Sequence, residues 1–153
     1  VLFAAKDGSQ VAAAHAGWRG LAEGVLLNTL ITFKRPADVI VCFGAAIGQP
    51  HFEVGAEVKD AFPWASDACF KPSAPNKHYA HLYRLAYEQL KHAGVIDIYQ
   101  ALFNELQPSK YSLKPFAQVA ENEFPCTYAQ EALFYSYRRD KQTGRQASLI
   151  WKM

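Results

Sequence analysis

The apolar positions of this chain fall into short runs separated by turn signals. Val1, Leu2, Phe3, Ala4 and Ala5 form the first run. Lys6-Asp7-Gly8-Ser9 follows, and an Asp-Gly pair tolerates the positive φ of a tight turn. Residues 10–16 form a second apolar run, so the two predict a β-hairpin. Gly17 and Gly20 bracket Trp18-Arg19, the pattern of a tight corner from strand to helix. Leu21, Val25, Leu26, Leu30 and Phe33 recur at helical spacing, predicting a mostly buried helix over 21–33 that Arg35-Pro36 stops.

Residues 39–43 read as a short buried strand and 44–50 as a glycine-containing loop. Residues 53–62 read as a helix that Pro63 ends. The prolines at 72 and 75 predict a surface loop over 64–77. Leu82, Leu85, Ala86, Gln89, Leu90 and Ala93 line one side of an amphipathic helix over 81–93, with Gly94 placed as its C-terminal cap. Residues 95–99 predict another strand, 102–123 show no clear period, and the alternation over 146–151 predicts a last strand. Strands alternating with helices, with hairpin pairing in places, point to a mixed α/β or α+β fold. No repeat or low-complexity linker divides the chain, so residues 1–153 read as a single domain. Val1 lies inside an apolar strand and is not Met, which predicts a start within a larger domain.

Composition narrows the function classes. Half of the 153 residues are hydrophobic and a fifth are charged, which is a globular profile with enough chain for a core. A formal charge of +2 without a Lys/Arg-dense run argues against a nucleic-acid partner. No apolar stretch has the length of a membrane span. Cys42, Cys69 and Cys126 are odd in number and widely spaced, which fits a reduced, cytoplasmic setting better than a disulfide framework.

Four places carry candidate chemistry. His15 stands at a strand end, where an imidazole can ligate a metal or act as a base, or can simply pack beside a turn. Arg19 follows at a helix start, where peptide N–H groups and a guanidinium can hold phosphate or another oxyanion. The loop Gly44-Ala45-Ala46-Ile47-Gly48-Gln49-Pro50 allows close backbone approach to a ligand, but the preferred reading is an ordinary strand-to-helix connection. Arg138 and Arg139 follow an aromatic run, where they can grip an anion or pair with Asp140 and Glu131 on the surface. Cys126 has no base beside it in sequence and reads as a structural thiol. His78 and His81, three apart, have the spacing of a metal pair on a helix, but the preferred reading is surface histidines.

Taken in order, these segments resemble the laccase-domain, YfiH-like family. His15-Ala16-Gly17-Trp18-Arg19-Gly20 is similar to its HAGWRG signature. Gly44-Ala45-Ala46-Ile47-Gly48 with Phe52-Glu53-Val54-Gly55, Cys126-Thr127-Tyr128 with Phe134-Tyr135-Ser136-Tyr137-Arg138-Arg139-Asp140, and the run from Thr143 to Trp151 resemble three further family segments. The resemblance implies a four-layer α/β/β/α sandwich, here incomplete at its N-terminus. It implies a metal site of two histidines and a cysteine, usually assigned to zinc, in which the signature histidine maps to His15. The family's cysteine precedes the strand matching Val1-Leu2-Phe3 and its other histidine lies further upstream, so neither is among these residues.

The implied activity is phosphorolysis of purine nucleosides (adenosine, inosine, methylthioadenosine) and deamination of adenosine, with nucleoside and phosphate as partners. Arg19 would steady phosphate, and Arg138 or Arg139 would hold substrate oxygens; these are the catalytic candidates beside the metal ligand His15. Three other readings compete: a copper-dependent polyphenol oxidase, an enzyme that edits peptidoglycan precursors, and an inactive fragment or binding module. Three departures from the family pattern are Ala45 in place of Pro, His81 in place of an Asp that would cap a helix, and residues 100–124, which look like an insertion.

Overall fold

The computed structural model describes residues 1–104, 107–144 and 147–152. The predicted hairpin is present: β1 (Leu2–Ala5) pairs antiparallel with β2 (Val11–Ala13), and Gly8 takes φ +71° in the turn. The corner at Gly17 opens α1 (Trp18–Ala22), but the helix predicted over 21–33 is two helices. Gly24, at φ +79°, follows the first and is the N-cap of α2 (Val25–Leu30). The left-handed conformation is cheap for glycine alone, so one residue interrupts a pattern whose apolar spacing reads as continuous.

The predicted strand over 39–43 is β3 (Val39–Phe43). The helix expected over 53–62 is shorter. Phe52 and Val54 are buried with period two, so this stretch forms β4 (Glu53–Gly55) before α3 (Ala56–Asp60) begins. The surface loop expected over 64–77 is replaced by a hairpin of β5 (Phe70–Ala74) and β6 (Lys77–Ala80), which turns at Pro75-Asn76. Pro72 is tolerated because β5 is an edge strand and its register shifts between Pro72 and Ala74.

The amphipathic stretch is α4 (Leu82–His92), with Gly94 at φ +88° just beyond it. The strand predicted over 95–99 starts later and runs further, as β7 (Asp97–Asn104), because β8 (Gln107–Pro115) pairs along it antiparallel. The last helix, α5, is a single turn (Tyr137–Asp140). Residues 147–152 form no strand, and Gln146 of the predicted final strand lies outside the described residues.

The result is a mixed α+β fold with two sheets. The larger has the order β2-β1-β3-β7-β8 and the smaller β4-β6-β5. Among the strands of the described residues β3 and β7 pair parallel, joined by a crossover that contains α4. Phe3, Val39, Val41, Phe43 and Ile98 point from one face of the large sheet into a core shared with Leu21, Leu26, Leu30, Leu85 and Leu90 of the helices. Gln89 Nε2 donates to the Leu21 carbonyl at 3.1 Å and ties α4 to α1. The opposite face, which carries Ile40, is partly exposed.

His81 is not the surface residue expected from sequence. It is 2% exposed at the N-cap of α4 and makes no side-chain cap. Its ring packs edge-on against Phe124, and Nε2 lies 3.3 Å from Glu121 Oε2 without hydrogen-bond geometry. Burial pushes the imidazole down to about 4; the Glu121 carboxylate opposes that shift, while Arg84 and Lys71 add to it. Because the folded value lies below the unfolded one, the unfolded chain takes up this proton first. Stability is therefore full above pH 6.5 and falls as pH drops toward 4, by an amount on the order of 1–3 kcal/mol. Urea unfolding across this range checks the slope. A His81→Asn variant, which has a capping oxygen but nothing to titrate, is expected to flatten the profile; an unchanged slope would assign the effect to another group.

Candidate functional site

The site is assembled at one end of the large sheet. Leu2 is in register with Ala13 on one side and Cys42 on the other. The chain leaving β2 toward His15 and the chain leaving β3 toward Gly44 therefore emerge at the same end. The Val1 amino group also lies there, donating to the Ala14 carbonyl at 2.9 Å. Crevices beyond the carboxyl ends of parallel strands are the usual ligand positions in open α/β sheets, and β3 and β7 end their paired stretch here.

His15 is exposed just past β2. A Cβ on Gly17 would stand 3.7 Å from Nε2, so glycine leaves the space beside the imidazole open. Arg19 is exposed in the first turn of α1, with its guanidinium carbon 4.6 Å from the Trp18 ring centre. The anion site expected at this helix start is weak, because α1 has only five residues and little aligned dipole. Arg19 itself remains the cationic group of this turn.

The glycine loop over 44–50 is not an ordinary surface connection. Ala46 forms a parallel bridge with Cys126, and the Thr127 N–H donates to the Ala46 carbonyl at 2.9 Å. The Gly48 N–H points at Cys126 Sγ, 3.2 Å away. The base of the loop is held by Gln100, fully buried, whose Nε2 donates to the Phe43 carbonyl at 3.2 Å. Gly44 faces the C-terminal tail, where an added Cβ would stand 3.3 Å from Ser148 Oγ. His51 stacks on Tyr128 with ring centres 4.6 Å apart, joining the far end of the loop to the Cys126 segment.

The two adjacent arginines do different things. All five N–H donors of Arg139 are engaged: two with the Thr127 and Tyr128 carbonyls, one with the Phe134 carbonyl, and two with Asp140. The Asp140 carboxyl is held below its ordinary pKa by that guanidinium. Arg139 is a clasp for the backbone over 127–134. Arg138 is exposed, uses one nitrogen on the Glu53 carbonyl at 3.2 Å, and lies 5.5 Å from the Phe52 ring centre.

The histidine pair does not form a metal pair in this structure, since His78 is on β6 and His81 stands at the N-cap position of α4 without capping it, with Nε2 beside Glu121 and its ring edge-on to Phe124. Cys126 is buried, as expected of a structural thiol. Among the described residues no group of three or more His, Cys, Asp or Glu side chains could hold a metal ion. Two residues that build this end were invisible in the pattern, Tyr83 and Gln100. Tyr83 is on the buried side of α4, and a tyrosine among leucines there is the one signal that could have marked it.

The sequence profile of the family described as multi-copper polyphenol oxidoreductase laccase matches residues 1–153. The chain belongs to this laccase-domain family. It is 38% identical over 157 residues to the purine nucleoside phosphorylase of Haemophilus influenzae, covering 99% of this chain and 55% of that protein. It is 41% identical to the purine nucleoside phosphorylase YfiH of Escherichia coli, covering 99% of this chain and 54% of that one. Among solved structures, the DUF152 protein NMB0706 of Neisseria meningitidis superimposes with a TM-score of 0.73 at 38% identity, over 91% of this chain and 50% of that chain. YlmD of Geobacillus stearothermophilus gives 0.72 at 28% identity, over 92% and 48%. The chain thus spans about half the length of the curated relatives it matches.

Gly48 tests the docking of the loop. A Cβ there would stand 3.1 Å from Cys126 Sγ and 3.2 Å from its Cβ, close enough that the buried Cys126 side chain must give way by a few tenths of an ångström. Gly48→Ala is expected to cost about 1–3 kcal/mol in denaturant unfolding. Adding Cys126→Ala should recover part of that loss, and strict additivity in the double-mutant cycle would show that the two residues do not touch.

Proposed function

We propose that this chain supplies part of the active site of a purine nucleoside phosphorylase. The observation that carries the reading is the convergence of His15 and the docked glycine loop at one end of the sheet, within a chain whose relatives bear that name. Phosphorolysis needs an anion held beside a nucleoside. Arg19 is an exposed cation on the chain leaving β2, Arg138 is an exposed cation on α5 beside Phe52 and Glu53, and a guanidinium matches phosphate and sugar oxygens in fork geometry. In this reading Arg19 faces phosphate and Arg138 the nucleoside. Inosine, adenosine and methylthioadenosine are the proposed substrates, with adenosine deamination a second outcome at the same centre and the cytoplasm the setting.

Zinc belongs to the proposal with a restriction. One imidazole does not fit a zinc site, which takes three or four protein ligands or three and a water. No sufficient cluster exists among the described residues, so no chemical step is derived through the metal. His15 would be one ligand, completed by groups that are not part of this cluster-free set. The family description names copper oxidases, which makes copper the rival metal. The sequence has no His-x-His pair of the kind that multicopper oxidases use.

The test is phosphate-dependent release of hypoxanthine from inosine by the complete encoded protein, with the metal content of the same preparation measured. His15→Ala is expected to lower both the rate and the bound zinc by about tenfold or more. Equal rates and equal metal would remove His15 from the site. Arg138→Ala is expected to lower kcat/KM by about tenfold or more, the usual loss of a hydrogen bond to a charged group. Copper at one equivalent or more, with phenol oxidation and no phosphorolysis, would favour the oxidase.

A further inference from the structure

Tyr83 is 3% exposed on the inner side of α4, and its hydroxyl makes two bonds that cross between segments distant in sequence. It accepts the Ala46 N–H at 2.6 Å and donates to the Pro125 carbonyl at 2.7 Å. Ala46 belongs to the loop after β3, and Pro125 stands directly before Cys126. The same two segments touch through the Thr127 N–H to the Ala46 carbonyl and the Gly48 N–H to Cys126 Sγ. One phenol therefore completes a seam that two direct contacts begin.

The oxygen is placed by rigid surroundings. Tyr83 is in the first turn of an eleven-residue helix, so its Cα is fixed by the core that α4 packs into. Its ring stacks on Phe124 at 5.1 Å between centres and tilts against Phe43 at 6.4 Å. Phe43 is the last residue of β3, so ring and hydroxyl together hold both the strand end and the loop leaving it. Burial raises the phenol well above its ordinary pKa, which keeps the proton on the oxygen at any working pH and preserves the bond to Pro125.

We propose that Tyr83 is a positioning residue: its hydroxyl sets the placement of the 44–48 backbone over the end of β3 against the 125–128 segment. The proposal rests on the reading above that this end of the sheet is the nucleoside and phosphate site. Tyr83 touches no reacting atom. It acts through the loop, whose small residues at 44–46 let a substrate come close to the backbone. Loss of the hydroxyl leaves an amide and a carbonyl without their shared partner and lets the loop drift. A displacement of about 1 Å at a reacting centre costs on the order of a hundredfold in rate.

The experiment uses the complete encoded protein and Tyr83→Phe, with amide hydrogen exchange and steady-state kinetics run on the same samples, inosine and inorganic phosphate being the substrates. In the wild type the Ala46 amide is expected to exchange about a hundredfold or more below the unfolded-peptide rate. Tyr83→Phe should speed exchange over 44–48 by about tenfold or more while the amides of α4 keep their protection. It should lower kcat by about tenfold to a hundredfold, with a smaller change in KM for either substrate. Phe124→Leu, which trims the ring packing and keeps the hydroxyl, should lower Tm and speed exchange over 44–48 by clearly less than Tyr83→Phe does.

An unprotected Ala46 amide in the wild type overturns the proposal without any variant. Unchanged exchange over 44–48 in Tyr83→Phe overturns it as well, and so does a loosened loop with wild-type kcat. If the wild type shows no phosphate-dependent cleavage, the functional reading fails while the exchange data still decide whether Tyr83 pins the loop.

Discussion

The structure depends on β3 being paired on both sides. Val39–Phe43 pairs antiparallel with β1 and parallel with β7, and its inward side chains, Val39, Val41 and Phe43, are all within 2% of full burial. An interior strand has no free hydrogen-bonding edge, so both neighbours lock its register. Its end is thereby a fixed point in an otherwise loop-rich region. The glycine loop starts from that point, and Gln100 of the neighbouring strand holds the last carbonyl of β3.

Polar groups at this end are satisfied by a small number of side chains used more than once. The Tyr83 hydroxyl both accepts and donates, and the Arg139 guanidinium uses every donor it has. In a region with little regular secondary structure, backbone amides and carbonyls need partners from side chains or water. Arg139 does for residues 127–134 what a sheet ladder would do elsewhere. This explains why two adjacent arginines diverge. Arg139 is turned inward onto carbonyls, whereas Arg138 is left exposed beside Phe52 and Glu53.

His81 shows the opposite arrangement. It has the N-cap position of α4 without capping it, and it faces Glu121 from the segment that the sequence marks as an insertion. Glu121 also pairs with Arg84 at 3.0 Å, so the segment is anchored to α4 by charge as well as by Phe116 and Phe124. A neutral buried imidazole next to a carboxylate is tolerated near neutral pH and becomes a liability in acid.

Much of the element order was legible because it follows from local rules. The hairpin at Asp7-Gly8, β3 as an apolar run, and α4 with its glycine cap each depend on residues close together in the chain. The family motifs were legible for the same reason, being contiguous strings. The failures share a cause as well. The break at Gly24, the strand β4 inside an apparent helix, and the hairpin at residues 70–80 depend on which face found a partner. The roles of Arg138 and Arg139 could not be separated from sequence, since adjacent identical residues differ only in what surrounds them.

From the residues alone came the fold class, the family, and His15, Arg19 and the glycine loop as the places to look. Tertiary structure decided that β2 and β3 end at the same side of the sheet, that residues 46 and 126 lie next to one another, and that Tyr83 joins them. Contacts between positions tens of residues apart leave no period or motif behind, because they arise from strand register and core packing, which are properties of the whole chain.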